Sequence, residues 1–335
     1  MKLIHYLPLF LAAATTASAL TEEKGEQKRD VAPGGTLVVD VDFGTIDVTG
    51  GDNKQVVVNA ERRISGASEA KEKEFLEASP ITVTQEGNTV TVRARRPKTG
   101  GWLANWGNSW NTEARYTILV PTNFNAHLET SGGKILVSEL TGDVNANTSG
   151  GTLNFAKIRG PLKGETSGGA ITTTDCDGEI QIETSGGKID VGGGSGSLTA
   201  STSGGSIAVR NFGGSAKVET SGGGLRFENV RGSLHGETSG GSISASLPAP
   251  VPGDVRLETS AGRIEVSVPA NAALNLDAST SMGRVTSDLP VAVQGKQDSD
   301  RMRGTINGGG KLLVLRTSAG SISVKQGGAP ATAKP

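Results

Sequence analysis

A glutamate stands one residue before a Thr-Ser-Gly-Gly quartet at Glu129, Glu165, Glu183, Glu219 and Glu237, and before the Thr-Ser-Ala-Gly variant at Glu258, with Asn147 and Ser201 interrupting the series. Carboxylates repeated at one spacing can do three things. They can project into water, pair with Lys134, Lys188 and Arg263 four residues past the threonine, or gather cations. No Asp/Asn/Gly calcium loop accompanies them, which favours the solvated face. Glu165, Glu183, Glu219, Glu237 and Glu258 therefore stand as a surface ladder and a candidate cation ladder. A second cluster is Trp102, Trp106 and Trp110, all the tryptophans of the chain, four residues apart in the Gly/Asn-rich stretch 100–111. Exposed, these rings form a platform for a sugar, a membrane or a protein surface; folded inward, they cover the end of whatever stands next to them. They are the first choice for a ligand-binding site.

Catalysis has less to work with. Secreted parallel β-helices that cleave polysaccharides use clustered carboxylates, calcium or a basic arginine in a groove. Here the histidines are His5, His127 and His235, and no partner residue recurs beside any of them. Cys176 occupies a position where the other repeats carry Leu140, Ile158, Phe212 and Val230, so it reads as a small buried hydrophobe rather than a reactive thiol. We expect no catalytic residue, no resident metal and no cofactor. The formal charge is −1, and about −2 once Lys2 is removed with a leader, without a basic stripe. That balance excludes a nucleic-acid surface.

The elements that must position these groups follow from the quartets, which begin at Thr130, Thr148, Thr166, Thr184, Thr202, Thr220 and Thr238, 18 residues apart each time. A constant period without insertions marks a unit that cannot bury its own apolar side chains and must stack on its neighbours. Counting the threonine as zero, apolar residues fall at offsets 5, 7, 10, 14 and 16. Offsets 5 and 7, and again 14 and 16, are period-2 pairs that point into one core from short strands. Glycine returns at offset 12, from Gly142 to Gly232, and marks a corner. Two strands, or three, and two glycine corners in 18 residues describe one coil of a single-stranded parallel β-solenoid, with strands stacked about 4.8 Å apart. An array of antiparallel hairpins is the competing architecture; it would favour Asn-Gly or Asp-Gly turns.

The expected organisation is a signal peptide at 1–19, with an apolar run and an Ala17-Ser18-Ala19 cleavage site, then a flexible segment at 20–35. Irregular β coils follow at 36–128, with an opening coil at 43–58, two strands around Gly87-Asn88 and a surface helix at 65–79 that lacks β-branched residues. The regular repeats occupy 129–258. Degenerate coils, marked by Thr259, Thr280 and Thr317, run to 325 before a disordered tail at 326–335. No mature segment is apolar for long enough to span a membrane.

The TSGG-x-[IL] repeats, the strand YTILVP (116–121), the motif LETSAGRIEVSVP (257–269) and the closing GTINGGG with LRTSAGSI resemble a bacterial candidate-adhesin family, the β-strand-repeat proteins of unknown function. The resemblance spans 36–325. It implies an exported or cell-envelope β-solenoid of right-handed sense, and it supplies no catalytic residues. The expected function is a secreted, non-enzymatic, envelope-associated binding protein that contacts an envelope glycan or protein surface. The alternatives are a polysaccharide-processing β-helix enzyme and an envelope scaffold or stress sensor that binds a protein partner. Oligomeric state is left open by the sequence; an exposed β edge at either end would favour self-association.

Overall fold

A computed structural model describes residues 20–65, 69–95, 111–293 and 298–327. Apart from one helix, its regular elements are strands, most of them paired in parallel. Contacts divide the chain into two compact units, Met1–Asn154 and Phe155–Pro335, and the division falls within the strand Leu153–Ala156.

In the second unit each 18-residue repeat contributes two strands. The first set contains Ile171–Thr174, Ile189–Gly192, Ile207–Arg210, Leu225–Glu228 and Ile243–Ser246, each paired in parallel with the next. The second contains Leu162–Thr166, Asp177–Thr184, Ser195–Thr202, Ser215–Thr220, Leu234–Thr238 and Val255–Thr259, again in parallel. Register matches identical repeat positions: Thr184 opposes Thr202, and Ile189 opposes Ile207. A shift of one residue would turn every apolar side chain outward, so the alternation itself holds this register. The buried columns Ile180, Leu198, Ala216, Leu234 and Ile189, Ile207, Leu225, Ile243 are the core expected from offsets 14 and 5. Cys176, Phe212 and Val230 at offset 10 are buried with them.

The quartets work through close approach. A methyl group on Gly205 would lie 1.8 Å from the Gly187 carbonyl oxygen, so only glycine lets successive corners stack here. Beside it the Thr202 hydroxyl, 6% exposed, donates to Gly187 O at 3.0 Å and accepts from Gly205 N–H at 3.3 Å. Thr184, Thr220 and Thr238 repeat both bonds, which satisfies backbone groups that the corner would otherwise bury unpaired. A further corner was not foreseen. Offset 9 is left-handed from the Thr130 repeat to the Thr220 repeat, at Asp175, Asn211 and Asn229 with φ of 52° to 54°, at Glu139 and Lys157 with φ of 59° and 55°, and at Gly193 with φ of 74°. Asn and Asp tolerate that conformation best, and Asn229 Nδ2 donates to Asn211 Oδ1 at 2.9 Å.

The C-terminal quartets do not stack in sequence order. Thr259 opposes Thr317, and Thr280 opposes Thr317 from the other side, so the strand Lys311–Ala319 inserts between Val255–Thr259 and Leu274–Met282. The companion sheet does the same, with Ile322–Gln326 between Ile264–Val268 and Val285–Ser287. Arg301–Ile306 then pairs antiparallel to Leu274–Met282.

The first unit mixes both pairings. Gly35–Val41 lies parallel to Phe124–Thr130 and to Thr89–Ala94, and Thr45–Gly51 lies parallel to Asn111–Pro121 and Ile135–Ser138. The stretch 43–58, expected as a parallel coil, departs from that pattern, because Gln55–Ser65 is antiparallel to Asn111–Pro121. The segment 20–35, expected to be loose, carries the strand Leu20–Asp30, antiparallel to Gln55–Ser65. Its charged residues hid it from hydropathy, but they pair across the strands: Lys24 lies 3.4 Å from Glu61, and Arg63 lies 2.9 Å from Glu22. The helix is shorter than expected, Glu69–Ala78, because β-branched Ile64 extends the preceding strand to Ser65. Its Phe75 is buried with ring centroid 6.4 Å from that of Phe43, and its buried Glu72 accepts from Thr21 Oγ1 at 2.6 Å.

Candidate functional site

The outer face of the second strand set in the Phe155–Pro335 unit carries the glutamate ladder. Along each strand the residues one, three and five before the next repeat's threonine point outward, giving three columns that run across the strands. The first column is Glu165, Glu183, Ser201, Glu219, Glu237 and Glu258, each opposite the next in register. The second holds Lys163, Gln181, Thr199, Lys217, His235 and Arg256. The third includes Ser197 and Ser215, with Ser233 Oγ bonded to Ser215 Oγ at 3.0 Å.

Cations for the ladder come from the second column. Lys163 Nζ lies 2.9 Å from Glu165, Lys217 Nζ 2.9 Å from Glu219, and an Arg256 guanidinium nitrogen 2.7 Å from Glu258. The lysines and arginine four residues past the threonine were the partners weighed from sequence; of these, Lys188 instead meets Asp190 at 3.0 Å. The reason is geometric: residues two apart on one strand share a face and lie within reach of a lysine side chain, whereas a residue beyond the corner belongs to the other strand set. That period-2 signal was present in Lys163-Gly-Glu165, Lys217-Val-Glu219, His235-Gly-Glu237 and Arg256-Leu-Glu258, and a search by repeat offset alone passes over it. Hydrogen bonds donated to Glu165 and Glu219 hold the Lys163 and Lys217 ammonium groups above the ordinary lysine value.

Along the second and third columns runs a shallow groove of about 640 Å³, lined by Ser197, Thr199, Ser215 and Ser233, edged by Lys217, His235 and Arg256, and extending to the apolar side chains of Leu312 and Val314. A more polar groove of about 300 Å³ lies on the other side, lined by Glu183, Glu219, Glu237 and the exposed quartet serines Ser203, Ser221 and Ser239. The face thus offers donors, acceptors and both signs of charge at a repeat of about 4.8 Å. At its C-terminal end the columns meet Asp277, which receives Arg303 at 2.8 Å and Arg316 at 2.7 Å. Burial works to raise the Asp277 carboxyl, but hydrogen bonds from Arg316 and Arg303, reinforced by their charge, hold it below its ordinary value.

The remaining candidates are placed as follows. Glu129 lies in the first unit, where Arg95 reaches it at 2.7 Å while also bonding Asp40. His127 is exposed on Phe124–Thr130. Cys176 is 1% exposed, and burial pushes its thiol up, away from the reactive thiolate. Trp102, Trp106 and Trp110 lie outside the described residues. Among the described residues no helix is long and apolar enough to cross a membrane.

Solved structures similar to this chain include a candidate lipid binding protein from Parabacteroides distasonis, 13% identical, covering 91% of this chain and 96% of its own with a TM-score of 0.39. A candidate adhesin from the same organism is 13% identical over 92% of this chain and 98% of its own, with a TM-score of 0.33. One from Bacteroides fragilis is 11% identical over 90% and 96%, with a TM-score of 0.30. No curated protein matches the chain. The family model Toastrack DUF4097 matches residues 36–325, from the strand Gly35–Val41 to the strand Ile322–Gln326, and the chain belongs to that family.

Proposed function

We propose that the chain is an exported, non-enzymatic, adhesin-like protein whose outer ladder face binds an extended envelope surface. In this reading each 18-residue repeat is one coil of a right-handed single-stranded β-solenoid, and residues 1–19 are removed on export. One observation carries the binding role: outward polar columns run in register across successive strands about 4.8 Å apart, a glutamate column broken at Ser201 beside a column that places Lys163, Lys217 and Arg256 against it. Many weak contacts at a fixed repeat add up through effective concentration, which suits a polymer better than a small molecule. The tryptophan stretch would be a second anchor, supplying apolar area that the ladder lacks.

The test is co-sedimentation of the mature chain with isolated cell envelope, peptidoglycan and insoluble polysaccharides. A Trp102/Trp106/Trp110→Ala form and a Lys217→Gln/Arg256→Gln form are run beside it. Saturable binding weakened by the ladder substitutions supports the face as the contact surface, and binding lost in the tryptophan form supports the anchor. Binding indifferent to both sets would overturn the assignment. Binding to no glycan, together with capture of a single envelope protein by cross-linking, would favour the scaffold or sensor role.

A further inference from the structure

Three ligand-bearing side chains converge at one point of the outer face. Glu219 on Ser215–Thr220 and His235 and Glu237 on Leu234–Thr238 each offer one atom, and the three atoms lie within 4.8 Å of one another. Glu219 opposes Glu237 directly in register, and His235 shares the outer face of its strand with Glu237.

This rung differs from its neighbours. Where Lys163, Lys217 and Arg256 precede a glutamate by two residues, the cation closes on the carboxylate at 2.9, 2.9 and 2.7 Å. On the His235 rung the imidazole Nε2 stays 3.9 Å from Glu237, beyond hydrogen-bond distance. An imidazole nitrogen can serve as a metal ligand, which the lysine and arginine of the other rungs cannot do while they hold their charge. Glu219 and Glu237 thus stand side by side on adjacent strands, and the one ammonium of the pair, Lys217, lies 2.9 Å from Glu219. The rung carries two carboxylates against one cation, and Glu219, His235 and Glu237 can each offer one ligand atom, two oxygens and a nitrogen.

We propose that Glu219, His235 and Glu237 form a binding site for a divalent transition cation of the zinc type. The donor set selects the metal: imidazole nitrogen with carboxylate oxygen suits zinc, whereas calcium and magnesium take oxygen throughout. Ligands about 2.1 Å from a tetrahedral ion lie roughly 3.4 Å apart, so the three donors must draw together from their present spread. The side chains are free to do so, being 45%, 32% and 58% exposed for Glu219, His235 and Glu237. Lys217 would swing into water, which is easy for an exposed, salt-screened pair. Three protein ligands leave a fourth position facing solvent, open to water or to an anionic group of whatever lies against the face. The site stands on its own geometry and does not depend on the adhesin-like reading.

The test titrates chelator-treated full chain with zinc chloride by calorimetry, beside His235→Lys and Glu219→Gln. His235→Lys recreates the ion pair of the neighbouring rungs, so it removes the ligand without disturbing the strand. A second readout is mass-spectrometric labelling by diethyl pyrocarbonate, with exposed His127 as internal control. The expected result is one equivalent of zinc, weakened roughly tenfold or more in either variant, and zinc protection of His235 but not His127. Equal uptake by wild type and His235→Lys, equal labelling of His235 with and without zinc, or no saturation below about 1 mM would each overturn the proposal.

Discussion

Adjacent glycines of one quartet carry very different constraints. A Cβ at Gly205 would come within 1.8 Å of backbone oxygen, whereas a Cβ at Gly204 would meet nothing closer than 3.7 Å. Gly205→Ala should therefore force two corners apart and lower stability by about 3 kcal/mol or more, in the class of overpacked or strained sites. Gly204→Ala should stay within about 0.5 kcal/mol of wild type. Thermal unfolding of the two variants side by side checks this, and equal midpoints would refute the close-approach account. The buried thiol of Cys176 belongs to the same scale: its repeat position, shared with leucine, isoleucine, phenylalanine and valine, already specified a core role, and the structure places it there.

At the level of elements, two charged side chains tie strands together. Arg62, 1% exposed, donates Nε at 2.9 Å and Nη2 at 2.5 Å to Glu23 Oε2, and Nη1 at 2.6 Å to Ser79 O. It joins the strand Leu20–Asp30 to the end of the helix Glu69–Ala78. Arg62→Met leaves Glu23 facing an apolar site and should cost about 3–5 kcal/mol, seen first as faster amide exchange across Leu20–Asp30. Unchanged exchange in that strand would remove Arg62 as its clamp. Asp277 makes the second tie, between Arg301–Ile306 and Lys311–Ala319. Its carboxyl is lower in the folded state than in the unfolded chain, so its stabilisation is present above the ordinary aspartate value of about 4 and is lost as pH falls through the lowered folded value. Asp277→Asn should therefore unfold earlier than wild type at neutral pH, and the gap in midpoint should close on acidification. A gap that persists at low pH would show that packing, not charge, is what the substitution removes.

For the molecule as a whole, an outer face built from alternating charge columns should bind in a salt-dependent way. Raising ionic strength from low to physiological shortens the Debye length to about 8 Å and should weaken envelope binding progressively. Retention that is insensitive to salt, yet lost in the Trp102/Trp106/Trp110→Ala form, would assign the affinity to the aromatic stretch instead. Sequence export can be checked separately by N-terminal sequencing of the secreted chain, with Leu20 as the expected first residue.

The parallel stacking was legible because it rests on short-range rules repeated without variation: period-2 burial at offsets 5, 7, 14 and 16, and glycine where two corners meet. The glutamate ladder was legible for the same reason, since identical residues at an 18-residue spacing must fall in one column when register is kept. Other features depend on which surfaces meet, and a linear pattern does not encode that. The pairing of Glu165 with Lys163 rests on residues two apart sharing the outer face, whereas the corner past Thr184 carries Lys188 to the other strand set, where it meets Asp190. The strand Leu20–Asp30 is held by cross-strand ion pairs and by Arg62, which composition reads only as charge. The insertion of Lys311–Ala319 between two earlier strands is a choice among three similar quartets, Thr259, Thr280 and Thr317, that could each have paired with its sequence neighbour. Local pattern thus specified strands, faces and columns, including the column that sets Glu219 beside Glu237, while partner choice at the ends came from tertiary packing, where burial and charge act between residues far apart in the chain.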